Sequence, residues 1–311
     1  MEELGFDSVW VGDSLFSKPR YEALSLLSAI SQRTSRVQLG TACVVSTLRN
    51  PLVLAMEWAT LDHLSEGRTI FGPCMGNPEE GVRREYKALG LPFKDRATVF
   101  EEGLAVLRTL WTEGEVDFHG KYYDFDKVSF HSGTEMAPLG PLQQPPPIWI
   151  VSNPRLVDDS HDERMVQIMR RACRRIIEYG DGWMTCCRAE HPEELTEQIG
   201  YLDEAARELD RDFSDYEVVY QVTMNIGDSE EKARTAFDSY ISQYYPELSQ
   251  AMDLSNWGPV GVPGQIVDWL REFADRGVTH FICRFGDLDQ FNQVERFAHE
   301  VLPAFQTTTA R

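Results

Sequence analysis

Lysine is scarce in this chain: it occurs only at 18, 87, 94, 121, 127 and 232, and acidic residues outnumber basic ones 50 to 30, for a net charge of −20. So negative a molecule repels a phosphate backbone, and no basic stripe with interleaved aromatics offsets the charge locally, which excludes nucleic acid as a natural partner. Apolar runs of the roughly 20 residues needed to cross a bilayer are absent. No charged start, apolar stretch and cleavage site opens the chain. A soluble, cytoplasmic protein is therefore expected. The six cysteines, at 43, 74, 173, 186, 187 and 283, form no Cys-x-x-Cys, which suits a reducing compartment. Adjacent Cys186 and Cys187 read as packed thiols in preference to a strained vicinal disulfide. HExxH, EF-hand and P-loop signatures are missing too, so no metal site is expected.

What is present is a regular alternation of strands and helices. RVQLGTACVV, from Arg36, is a run of β-branched and small residues; TLRNP is a turn; LVLAMEWATLDHLSEG is a helix leading into the strand RTIFG. The strands read as nearly continuous apolar segments, the signature of a parallel sheet covered on both faces. In such folds ligands gather where strands end, here at Val44 to Arg49 and at Pro73 to Gly76. Strands are predicted at 6–12, 36–45, 69–72, 147–152, 181–184, 216–226 and 279–285. Helices are predicted between them, among them 97–112, with Leu104, Leu107, Leu110 and Trp111 on one side. A hairpin is expected after residue 116. Irregular loops at 113–146 and 244–262 are placed near the mouth, and the whole of 1–311 is taken as one domain.

Seven strands are one short of a closed parallel barrel. MEELGF resembles the last turn of a helix with its left-handed glycine at Gly5, as though a strand and most of a helix should precede it.

The pieces EELGFDSVWVGD, TSRVQLGTACVV, RNPLVLAMEWATLDHLSEGRTIFG, ALGLPFKDR, FHGKYYDF, PPIWIV, YGDGWMT and GVTHFICRFG occur in this order over essentially the whole chain. Together they resemble the luciferase-like, flavin- or F420-dependent oxidoreductases. That resemblance implies a (β/α)8 TIM barrel, here lacking its first strand and most of its first helix. It implies a flavin or deazaflavin at the C-terminal strand ends. The chain is thus expected to start inside the family's first helix, as a truncation or a misassigned start.

The resemblance also assigns residues. Ala42 and Cys43, with Val44, occupy the family's non-prolyl cis peptide beneath the cofactor ring; the plain alternative is two small residues in a parallel strand. Asp13 and Ser14 stand where many relatives carry an acidic residue and a histidine. Serine cannot titrate near neutrality, so Asp13 is the remaining acid or base there, or else a carboxylate capping the following loop. Cys74 matches a reactive cysteine of bacterial luciferase. Met75 replaces an arginine that reaches the FMN phosphate there, and Gly76 follows it. Ser152 and Asn153, with Pro154 and Arg155 beyond, suit a cofactor phosphate at a strand-to-helix turn. Trp183 is placed at the cofactor, and Met184, Gln221, Thr223, Asn225 and Arg284 near the mouth. Reduced FMN ranks first as cofactor and F420 second. The leading activity is monooxygenation with O2, with hydride transfer to or from a small organic molecule as the alternative. A flavin reductase and a second copy of the chain are the expected protein partners. A catalytically degenerate flavin-binding or partner subunit is the reading from outside enzymology.

Overall fold

A computed structural model describes residues 1–130, 140–153, 163–186, 192–246 and 257–306. The parallel sheet runs β1 (Ser8–Val11), β2 (Gln38–Thr41) and β4 (Thr69–Ile70), with β3 (Val44–Val45) paired to β5 (Pro73–Cys74) just beyond. A bridge from Phe71 to Ile148 carries it to β8 (Trp149–Val151), and from there to β9 (Gly182–Thr185), β10 (Glu217–Ile226) and β12 (His280–Phe285). The antiparallel hairpin β6 (Glu115–His119) and β7 (Asp124–Ser129) stands apart from this sheet, where a hairpin is expected from the sequence. All seven predicted parallel strands are found. The stretch 36–45 is divided in two at Ala42 and Cys43, and 69–72 continues past Gly72 into β5. A two-residue strand, β11 (Val260–Gly261), pairs with β10 inside a segment expected to be irregular. β1 and β12 are the two ends of this order; among the described residues they do not pair, and the barrel is not closed between them.

Helices pack outside the strands because their apolar stripes need cover. α2 (Pro51–Leu64) starts on an Asn50 side chain that accepts from the Leu52 amide, with proline at its first position. α4 (Arg96–Glu113) buries Leu104, Leu107, Leu110 and Trp111 as predicted and ends on Gly114 in the left-handed conformation. The interior of the strand layer is filled by Ile70, Trp149, Met184, Val219 and Ile282, joined by Trp10, Ala42 and Val151. Trp10 and Trp149 stack across it with ring centroids 5.3 Å apart. Gly40 is what admits that pair: a Cβ there would sit 2.1 Å from the Trp10 ring.

Glu2 ties the first turn to the loop before β2, accepting from the amides of Ser35, Arg36 (2.7 Å) and Val37 (3.0 Å). The Val37 and Arg36 amides, in that order, hold its carboxyl down at about 2, well below the ordinary 4.5. A depressed carboxyl contributes stability that is complete above the unfolded value and is lost as pH falls towards the folded one. Glu2→Gln is therefore expected to lower the melting temperature at neutral pH, with the difference from the parent shrinking as pH drops from about 4.5 to about 2. A pH-independent difference in thermal melts would count against this linkage.

Candidate functional site

Strand ends assemble the site. β1 ends at Gly12, Asp13 and Ser14; β2 passes through Ala42 and Cys43 into β3; β5 leads to Met75 and Gly76; β12 contributes Arg284. The peptide between Ala42 and Cys43 is cis, as the resemblance implies. A cavity of about 750 Å³ runs along the gap between β1 and β12 and at its upper end touches Gly12, Arg20, Ala42, Gln221, Tyr244 and Arg284. A second, also about 750 Å³, lies beside the mouth between residues 16–19, α3 (Glu80–Ala88) and the end of α7 (Glu230–Tyr244), and shares Tyr244 with the first.

Asp13 is held by local partners. Arg49 Nη1 donates to its Oδ2 at 2.7 Å and Nη2 to its Oδ1 at 3.0 Å, while the Val45 amide adds a third bond at 3.0 Å. Its side chain has no solvent exposure. This geometry is that of a carboxylate fixing the β1 end to the β2–β3 turn, with three of its roughly four acceptor positions taken. Ser14 likewise turns to its own loop: its hydroxyl bonds Ser17 Oγ at 2.8 Å and accepts from the Lys18 amide at 2.9 Å. Buried Glu85 gathers the same loop through the Phe16 and Ser17 amides.

Cys74 is buried among Val45, Leu48, Val82 and Tyr86, and Cys43 borders that group. Their sulfurs lie 2.8 Å apart, with the Cys43 thiol donating. The hydrogen bond to Cys74, followed by burial, pushes the Cys43 thiol well above its ordinary range. Val44 is fully buried in the core between sheet and helices. Met75 is half-buried and offers its carbonyl to the Tyr86 hydroxyl at 2.8 Å. Gly76 has φ +72°, and a Cβ there would come within 2.8 Å of Val82.

Ser152 spends its amide on the Met184 carbonyl, and its own carbonyl accepts from Trp183 Nε1 at 2.8 Å. Asn153 ties neighbouring strand ends together, accepting from Thr185 Oγ1 at 2.9 Å and the Cys186 amide at 3.0 Å. Pro154, Arg155 and Cys187 lie outside the described residues. The expected cofactor contact at Trp183 is corrected. Met184 and Val219 face the barrel interior, so by strand alternation their neighbours Trp183 and Val218 face the helices, where Trp183 is completely buried. Asn225 is also structural, donating to the Gly286 carbonyl and to Asp287. Gln221, Thr223 and Arg284 do come together on the inner face.

Arg284 anchors a rim that sequence reading recognised only in part. Its Nε donates to Thr223 Oγ1 at 2.9 Å and its Nη1 to the Tyr245 hydroxyl, and the guanidinium lies over Tyr245 (5.2 Å) and Trp257 (5.9 Å). Arg20 donates to the Tyr244 hydroxyl at 2.9 Å and to the Asp13 carbonyl at 3.1 Å, and Lys18 lies 4.9 Å from the centre of the Tyr245 ring. Three cations thus meet tyrosines at the mouth of a strongly acidic molecule. Such a rim concentrates and orients an anion. Lys18 and Arg20 were missed because they sit in a loop without a motif. A basic pair in so lysine-poor a chain was the available signal.

These residues fit a flat cofactor ring. Gly12 and Ala42 present little bulk to the upper cavity, and Arg20 lies against Gly12, where a Cβ would fall 2.6 Å from it.

A model of the luciferase-like monooxygenase family matches residues 1–158 and 168–280. The F420-dependent glucose-6-phosphate dehydrogenase of Amycolatopsis mediterranei is 27% identical over 97% of this chain and 91% of its own. Among solved structures, an F420-dependent secondary alcohol dehydrogenase bound to an F420–acetone adduct superposes with a TM-score of 0.78 at 21% identity, covering 98% of this chain and 92% of the other. The monooxygenase RslO1 from Streptomyces bottropensis gives 0.77 at 20%, covering 98% and 90%.

Proposed function

The chain belongs to the luciferase-like monooxygenase family, and from that premise we propose that it is an F420-dependent oxidoreductase that moves hydride between the deazaflavin and a small anionic substrate, a sugar phosphate being the first to test. The observation that carries the anionic substrate is the rim of Lys18, Arg20 and Arg284 around Tyr244 and Tyr245, set above the cavity at Gly12 and Ala42. F420 moves ahead of FMN because relatives matched over nearly their full length include F420-dependent glucose-6-phosphate dehydrogenases. The monooxygenase neighbour is only 20% identical and bears on the fold alone.

Bound F420 would supply the hydride-accepting carbon; the protein supplies position and field. Ala42 is the small side chain beside which the ring would lie against the strand ends. Arg284, held by Thr223 and Tyr245, fixes the anion so that substrate and ring meet in one orientation. With Asp13 engaged by Arg49, proton transfer falls to another group at the mouth, and the Tyr244 and Tyr245 hydroxyls are the nearest to the rim cations.

Equilibrating the purified chain with F420 or with FMN, followed by gel filtration, tests the cofactor. Stoichiometric retention of F420, and loss of its oxidised absorbance on adding glucose 6-phosphate, is the expected result. Tighter retention of FMN, with substrate-dependent O2 uptake once it is reduced, would restore the monooxygenase reading. Retention of neither would favour a degenerate subunit.

A further inference from the structure

We propose that Cys43 and Cys74 form a reversible oxidation site, a dithiol beside the site floor that closes to a disulfide when hydrogen peroxide reaches it. The pairing is built into the sheet. Val45 of β3 lies opposite Cys74 of β5 in a parallel ladder, and the sulfur of Cys43, two residues before Val45, lies 2.8 Å from that of Cys74. Neither cysteine is disulfide-bonded or committed to another sulfur in this state. Cys74 is 8% exposed, whereas Cys43 is partly open towards the strand ends, so a molecule the size of peroxide suits the approach.

The 2.8 Å separation lets either sulfur complete what the other begins. One sulfur bonds one peroxide oxygen, the O–O bond breaks, and the departing hydroxide takes up that thiol's proton as water, leaving a sulfenic acid. The second sulfur then attacks the first, the S–O bond breaks, and the second hydroxide takes the second thiol's proton. Two thiols and one peroxide give one disulfide and two waters; the two electrons pass from the sulfurs to the peroxide. A thiol reductant reverses the bond by exchange. In a reduced compartment such a pair is open at rest and closes under oxidant.

The inference stands apart from the choice of cofactor and substrate, and its test uses neither. The full chain is treated with equimolar hydrogen peroxide, denatured and alkylated. Two of its six cysteines are expected to be lost to alkylation and regained after dithiothreitol. A non-reducing tryptic digest should link the peptide 37–49 to the peptide 69–83. Each single serine variant should stop at the sulfenic acid of the cysteine that remains, captured by dimedone, and should lose no thiols in pairs. Linkage of either cysteine to Cys186 instead, unchanged alkylation, or a Cys43→Ser protein that still loses two thiols would overturn the assignment. Circular dichroism of both serine variants confirms that the chain tested is folded.

Discussion

Replacing Arg49 by methionine is expected to destabilise the protein by about 3 to 5 kcal/mol, the usual cost of leaving a buried charge without its partner. Asp13 is inaccessible to water, and Arg49 itself is only 11% exposed, so no solvent takes over when the guanidinium goes. The remaining bond from the Val45 amide compensates little of the carboxylate's desolvation. Asp13→Asn in the same background removes the stranded charge while its carbonyl still accepts from Val45. The double variant should regain much of the loss, and the cycle should report strong coupling. Urea unfolding of the four proteins decides it. A single-variant loss below about 1 kcal/mol would mean that the pair behaves like an ordinary surface bridge. The damage should also reach the site, because Asp13 accepts from Val45 through its side chain and donates its amide to the Cys43 carbonyl. Cofactor retention is therefore expected to weaken in Arg49→Met even at temperatures where the fold persists.

That coupling explains why some of the site was legible from sequence and some was not. The strands were readable because a parallel sheet buried on both faces forces continuous apolar runs, and seven of them survive with shifts of a few residues. The same continuity hides which way each side chain points: Trp183 and Met184 are both apolar, so nothing in the string says that methionine faces inward. Ala42 and Cys43 were found through a family pattern at a strand end. Arg49 sits in RNP, which reads as a turn, and its partner lies 36 positions earlier, beyond any local signal. Tyr244 and Tyr245 close a helix before an irregular stretch, so their meeting with Lys18 and Arg20 exists only in three dimensions. Cys43 and Cys74 were each singled out separately, and only their 2.8 Å contact in three dimensions makes them a pair.

Arg284→Met carries the second large effect, this time on activity. Of the five N–H groups of its guanidinium, Nε and one on Nη2 go to Thr223 and one on Nη1 goes to Tyr245, so two remain for a ligand among the described contacts. Two charge-assisted bonds to a phosphate or carboxylate, at about 1.5 to 3 kcal/mol for each such bond, amount to roughly 10²- to 10⁴-fold in kcat/KM. The expected loss lies near the lower end, because Arg20 and Lys18 still hold positive charge at the rim. Arg284→Lys keeps the charge but not the fork, and should recover only part of the activity. If Arg284 grips substrate in the ground state and the transition state alike, the loss appears in KM; if it fixes orientation for hydride transfer, it appears in kcat as well. Binding of F420 itself should change little if the ring lies beside Ala42, as proposed. Comparison of an anionic substrate with its uncharged counterpart makes the outcome specific: a rim built for anions loses activity towards the first and hardly any towards the second. An equal loss for both would instead assign Arg284 to holding Thr223 and Tyr245 in place.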